Sequence, residues 1–186
     1  MFKLLFVVTM GNPMFQLPRV ATKQDPLRLC VMISGSGSGM EALLRYQQQR
    51  ECLHKTVLVI SNKPDVQGLE RAAGYDVPTQ VIELPAIDDS ARRRKKHDEL
   101  MHQALLEADI EAVILSGYMR ILTDEFVEGW EGRLLNIHPS LLPEFPGAHA
   151  HRDALAAGAT ISGCTVHFVD TGVDSGRIIA QRKVPV

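Results

Sequence analysis

The sequence predicts an α/β protein: a doubly wound, mostly parallel sheet with helices on both faces and an antiparallel C-terminal strand. Three observations carry this. From Leu27 onward, apolar runs of strand length alternate with segments of helical period. The early runs are almost continuously apolar, as strands covered on both faces are. The last two runs are joined by the turn-rich DTGVDSG and read as an antiparallel pair.

LRLCVMI, Leu27–Ile33, is too short for a typical helix and ends in a Gly/Ser turn, so it is the first strand. Residues 40–49 are helical. KTVLVI, 55–60, is the second strand, and 66–73 a helix closed by Gly74 in the left-handed conformation glycine favours there. TQVIEL makes a third strand. Residues 92–108 form a longer helix with Leu100, Met101, Ala104 and Leu105 on one face. EAVILSG gives a fourth strand, 123–130 a helix, RLLNIH a fifth strand, and 151–157 a short helix closed by Gly158. ISGCTVHFV and RIIAQRKVPV complete the sheet. In such sheets ligands gather at the carboxyl ends of strands, which singles out the residues just after each run.

With 186 residues, 45% hydrophobic and 23% charged, the chain suits one domain with a single core. A net charge of −2 argues against nucleic acid as a partner. Arg92, Arg93, Arg94, Lys95 and Lys96 read as a solvated helix start. Cys30, Cys52 and Cys164 form no CxxC pair and no complete disulfide framework, which fits a reducing, cytoplasmic setting. No metal is expected: His149 and His151, two apart, match no recognised ligand spacing. Residues 1–10 hold a short apolar run with one lysine, resembling a weak targeting segment and too short to span a bilayer. Residues 1–26 therefore read as an extension, disordered or a remnant of organellar targeting, ahead of a domain over 27–186.

The first strand ends in Ser34-Gly35-Ser36-Gly37-Ser38-Gly39 before a helix. Closely approachable backbone and free N–H groups at a helix start favour an anion. The loop is neither a Walker loop nor the dinucleotide fingerprint, and a merely tight turn is the alternative. On RLLNIHPSLLP, Asn136 and His138 stand two apart and so share a strand face. An amide beside an imidazole suits acyl transfer, the amide stabilising an oxyanion and the imidazole handling protons. A core histidine with a bonded asparagine would show the same spacing. Asp170 and Asp174 offer two carboxylates to orient such a histidine, although Asp and Gly are also ordinary turn residues.

These residues carry a resemblance. SGSGSG, SNKPDVQGLERA, LSGYMRILT, RLLNIHPSLLPEFPGAHAHRDAL and GCTVHFVDTGVDSGRIIAQRKVPV occur in the order found in the folate-dependent formyltransferases, over nearly the whole of 27–186. PGAHAH is similar to the branch acting on glycinamide ribonucleotide. The resemblance implies formyl transfer from 10-formyltetrahydrofolate to that amine in purine biosynthesis. It implies Asn136 and His138 as catalytic, with Asp174 rather than Asp170 as the acid favouring the charged imidazole. It assigns the substrate 5′-phosphate to Gly37, Ser38 and Gly39. Folate falls to Arg94, Met119, Arg120, Ile121, Leu122, Asn136, Asp170, Thr171, Gly172, Val173 and Asp174.

Partners on this view are two small molecules, glycinamide ribonucleotide and the reduced folate, without metal, nucleic acid or membrane. The chain is expected to be a monomer or homodimer. A formyltetrahydrofolate hydrolase and a catalytically impaired folate-binding remnant are the alternatives. Two departures stand out. The family usually carries Asn where this chain has Gly39. The family also continues past the VPV that ends this chain, so the domain is expected to be truncated, with apolar sheet surface exposed.

Overall fold

The computed structural model describes residues 19–186, so most of the proposed N-terminal extension lies outside the described residues. The elements run β1 (Leu27–Ile33), α1 (Ser38–Gln48), β2 (His54–Ser61), α2 (Gln67–Ala73), β3 (Thr79–Val81), α3 (Ser90–Glu107), β4 (Ala112–Ser116), α4 (Asp124–Gly129), β5 (Leu134–His138), α5 (Ala150–Ala156), β6 (Ile161–Phe168) and β7 (Ile178–Pro185). The seven strands lie in the order β3-β2-β1-β4-β5-β6-β7. From β3 to β5 every pairing is parallel; β6 is antiparallel to both its neighbours.

Two apolar layers explain the continuous strand runs. Cys30 and Met32 of β1 point into one layer with Leu58, Ile60, Met101, Leu105, Trp130 and Leu134. Val31 and Ile33 point into the other with Met40, Leu44, Val59 and Ala72. The strand is thus covered by α3 and α4 below and by α1 and α2 above. The strand order reverses between β1 and β4, the place in such sheets where the following loops part and ligands bind.

Some expectations need correcting. Gly74 is right-handed, with φ −63°, and the left-handed residue after α2 is Asp76, with φ 56°. The third strand shrinks from TQVIEL to Thr79–Val81, because it is an edge strand with all three residues exposed and only β2 to pair with. Leu100 is 41% exposed, not on the inner face of α3. That face carries His97, Asp98, Met101, Ala104 and Leu105. The polar pair is invisible to an apolar pattern, and it extends the buried stripe by about a turn toward the start of α3, past Leu100. His97 donates from Nε2 to the Ile82 carbonyl, 2.8 Å away, while its buried Nδ1 has no hydrogen-bond partner among the described residues.

Residues just before β1 are tied down through Glu111. Its carboxylate accepts from Arg19 Nε at 2.6 Å, from Arg19 Nη2 at 2.9 Å and from the Arg28 N–H at 2.9 Å. Burial alone would raise the Glu111 pKa; the Arg19 hydrogen bond and charge, with the Arg28 amide, outweigh it and hold the carboxyl below its ordinary value. A carboxyl depressed on folding stabilises above its unfolded pKa and loses that stabilisation as pH falls through the folded one. Glu111→Gln should therefore lower the melting temperature at pH 7. The gap to wild type should close as acid takes the medium below the ordinary carboxylate range, which thermal unfolding at several pH values will read.

Candidate active site

The loop after β1 turns into α1 through Gly37, whose φ of 67° is left-handed. A side chain there would also run into Gly68, where the start of α2 packs on the loop: its Cβ would come 2.8 Å from the Gly68 Cα. The Gly68 N–H donates to the Gly35 carbonyl at 3.1 Å. Glu41 N–H already bonds the Gly37 carbonyl, and no side chain caps the helix. The N–H groups of the first turn, from Ser38 on, therefore have no partner within the helix. Gly37, Ser38 and Gly39 form a cradle of the kind expected for an anion.

The loop after β4 faces it. Tyr118 and Leu122 turn into the core, while Met119 and Ile121 are 60% and 64% exposed. Burial pushes the Tyr118 phenol up; the neighbouring Arg120 opposes this and Asp98 adds to it. Two buried groups anchor the segment. The Met119 N–H donates to Ser34 Oγ at 2.8 Å, and that hydroxyl donates to Asn62 Oδ1 at 2.6 Å. The Thr123 N–H donates to Asp98 Oδ2 at 2.7 Å, and Thr123 in turn caps α4. Ser34 thus joins the loops that follow β1, β2 and β4.

On β5, Asn136 and His138 share the face predicted for them, and β6 brings a group that sequence reasoning passed over. The antiparallel register sets Asn136 opposite His167 and His138 opposite Thr165. Asn136 Nδ2 lies 3.1 Å from His167 Nε2 and donates to Asp174 Oδ1 at 3.2 Å. His167 Nδ1 lies 2.9 Å from the Phe168 carbonyl, which makes Nδ1 the donor of that bond and, in the neutral ring, leaves Nε2 to accept from Asn136. The signal was present: period two in CTVHF puts Thr165 and His167 on one face, and the adjoining strand was RLLNIH.

The Asp174 carboxylate closes the cluster. Its Oδ2 is 3.3 Å from His138 Nδ1 and accepts from the Gly147 N–H at 2.7 Å; Oδ1 is 3.5 Å from His167 Nε2. Asp174 itself is left-handed, with φ 52°. Asp170 does something different. Its Oδ1 accepts from the Gly172 N–H at 3.1 Å and Ser175 Oγ at 2.9 Å, which builds the turn and leaves the histidines to Asp174. The other ring nitrogen of His138, Nε2, donates to the Phe145 carbonyl at 2.9 Å.

Thr165, fully buried, locks the segment between His138 and Phe145 onto β6. Its hydroxyl donates to the Ser140 carbonyl at 2.7 Å and accepts from the Leu142 N–H at 3.0 Å and from Gln181 Nε2 at 2.9 Å.

The remaining expected folate residues are scattered. Asp170, Thr171, Gly172 and Val173 lie exposed on the β6–β7 loop. Asp170 and Thr171 line a cleft of about 360 Å³ with Val127, Phe168, Val169 and Arg177. Arg94 is exposed on α3, outside the cluster around Asp174. Among the described residues no group of three or more His, Cys, Asp or Glu side chains is arranged to hold a metal.

A doubly wound sheet with a cradle of unpartnered backbone amides after β1 and an amide–imidazole–carboxylate cluster on β5 and the β6–β7 loop is an architecture suited to an α/β group-transfer enzyme. Comparison with known proteins narrows this. Residues 27–186 match the family model described as formyl transferase, and the chain belongs to that family. It is 42% identical over 161 residues to phosphoribosylglycinamide formyltransferase of Escherichia coli, covering 86% of this chain and 74% of that one. It is 48% identical over 165 residues to the trifunctional purine biosynthetic protein adenosine-3 of Drosophila pseudoobscura pseudoobscura, covering 88% of this chain and 12% of that one. This chain therefore spans only about an eighth of that longer relative. The crystal structure of glycinamide ribonucleotide transformylase 1 from Symbiobacterium toebii superposes with a TM-score of 0.80 at 40% identity, over 87% of this chain and 74% of that one.

Replacing Thr165 by Val keeps the volume and removes all three hydrogen bonds, leaving the Ser140 carbonyl and Leu142 N–H buried without partners. Thr165→Val should cost about 1–3 kcal/mol in chemical denaturation, the scale of a buried polar group left unmatched.

Proposed function

We propose that the chain transfers the formyl group of 10-formyltetrahydrofolate to the primary amine of glycinamide ribonucleotide in purine biosynthesis. The observation that carries the reading is the meeting of Asn136, His138 and Asp174, from two separate stretches of chain, next to a cradle of backbone amides. Relatives named phosphoribosylglycinamide formyltransferase support formyl transfer to the same ribonucleotide. The reading brings with it a cytoplasmic setting, consistent with cysteines such as Cys30, fully buried on β1 with its thiol pushed up by burial. A monomer and a homodimer both fit it.

The neutral amine attacks the formyl carbon, the carbonyl becomes an oxyanion, and the bond to folate N10 then breaks. The proton lost by the attacking nitrogen ends on N10. Asn136 is suited to donate to the oxyanion and His138 to steady the charge and pass the proton, with Asp174 orienting the ring. At rest the cluster is satisfied from within: both Asn136 hydrogens are engaged, and His138 Nε2 is held by Phe145. Substrate must therefore compete for those donors. The longer Asn136 bond, 3.2 Å to Asp174, is the one to yield. The exposed apolar side chains of Met119, Ile121 and Val173 offer a surface for the flat folate ring.

The experiment is a formyl-transfer assay with both substrates. Asn136→Ala should lower kcat by about 10²–10³-fold, the effect of losing one oxyanion donor, while ribonucleotide affinity changes little. Full turnover in that variant would remove Asn136 from the role. Release of formate without the amine would instead identify a hydrolase, and folate binding without turnover an impaired remnant.

A further inference from the structure

Gly39 has no unusual backbone requirement, yet it has no room for a side chain. A Cβ at this position would stand 2.6 Å from Ser116 Oγ. Ser116 is the last residue of β4 and only 7% exposed. By strand alternation it shares a face with Ile114, which packs against the layer holding Val31, Ile33 and Met40 beneath α1. No hydrogen bond among the described residues engages its hydroxyl, and the Oγ atom keeps access to solvent. A residue nine-tenths buried that keeps its one side-chain polar atom uncommitted and open calls for an explanation.

The place supplies it. The hydroxyl abuts Gly39, the second residue of α1, where the first-turn N–H groups have no helical partner and no side-chain cap. It also lies where strand order reverses, between β1 and β4. An anion seated on those amides would give Ser116 the acceptor it lacks.

We propose that Ser116 Oγ is a ligand of the substrate's phosphate monoester, completing the amide cradle from the β4 side. In this chain the polar side chain at the cradle comes from β4, and Gly39 is the vacancy that admits it. This rests on the reading of the substrate as a phosphorylated ribonucleotide, and the test separates the two.

Affinities of wild type, Ser116→Ala and Ser116→Cys are measured by calorimetry for glycinamide ribonucleotide, for its dephosphorylated riboside and for inorganic phosphate. Cysteine keeps the size and loses the strong donor. Both variants should bind the ribonucleotide about ten- to a hundredfold more weakly, as expected for a lost hydrogen bond to a charged group, and the riboside as wild type does. Gly39→Asn alone should weaken binding through collision with Ser116, and adding it to Ser116→Ala should restore affinity, because an amide then fills the vacated space. Equal ribonucleotide affinity in all three Ser116 proteins, or equal losses for ribonucleotide and riboside, would overturn the proposal. If wild type neither binds the ribonucleotide nor transfers formyl, the substrate reading fails instead. Inorganic phosphate then decides: weaker binding in both Ser116 variants upholds the ligand, and no difference or no binding overturns it.

Discussion

A single carboxylate, that of Asp174, sits where four segments converge, and the local structure follows from the need to satisfy it. With its side chain only 11% exposed, it must be met by donors to remain charged there. One oxygen takes the Gly147 N–H and faces His138; the other takes the Asn136 amide and faces His167. Two left-handed residues make this possible, Gly147 with φ 86° and Asp174 with φ 52°. The first aims a backbone donor inward from the segment after β5. The second turns a side chain back out of a loop whose neighbours all face solvent. Gly176 helps, being pressed against the Phe168 carbonyl where no side chain would fit. The long segment from Pro139 to Gly147 is thus held at one end by Thr165 and at the other by Asp174.

The sheet decides where this cluster stands. Parallel order from β3 to β5 brings the carboxyl ends of β1, β4 and β5 side by side, so three loops share one rim. Reversal of β6 then does two things. It places His167 across from Asn136 in the ladder, and it starts the β6–β7 loop beside Leu134, from where the loop folds back until Asp174 meets Asn136 and His138. The catalytic geometry proposed for the cluster therefore depends on one antiparallel strand.

Much of this was legible in the sequence. Leu27–Ile33 was readable to the residue because both faces are buried and the run is bounded by a Gly/Ser turn. The pairing of Asn136 with His138 needed only the period of a strand. Choosing Asp174 over Asp170 did not follow from turn chemistry, since both sit among glycines; it came from resemblance, and the geometry now separates them by what each oxygen accepts. His167 and Ser116 escaped for a common reason. Their surroundings are set by strand order and register, with Asn136 facing His167 and β4 lying against β1, and a linear pattern carries neither. The edge strand β3 was overextended because its apolar letters, Val81 and Ile82, have only one neighbouring strand to reward pairing.

The proposed function gives the two sides of the crevice unlike ligands. On the proposed reading, backbone amides and the Ser116 hydroxyl meet an anion on the α1 side, while Met119, Ile121 and Val173 present apolar surface beyond β4 and after β6. A transfer between two molecules gains most from holding both in register, since the entropy of bringing them together is then removed from the chemical step. Ser34 ties the two sides directly: it closes β1, bonds Asn62 at the end of β2, and receives the Met119 N–H from the loop after β4. Its 6% exposure leaves no room for water to replace those partners easily. On the proposed reading, the spacing between the phosphate cradle and the folate surface is therefore fixed by a buried hydroxyl rather than by either ligand.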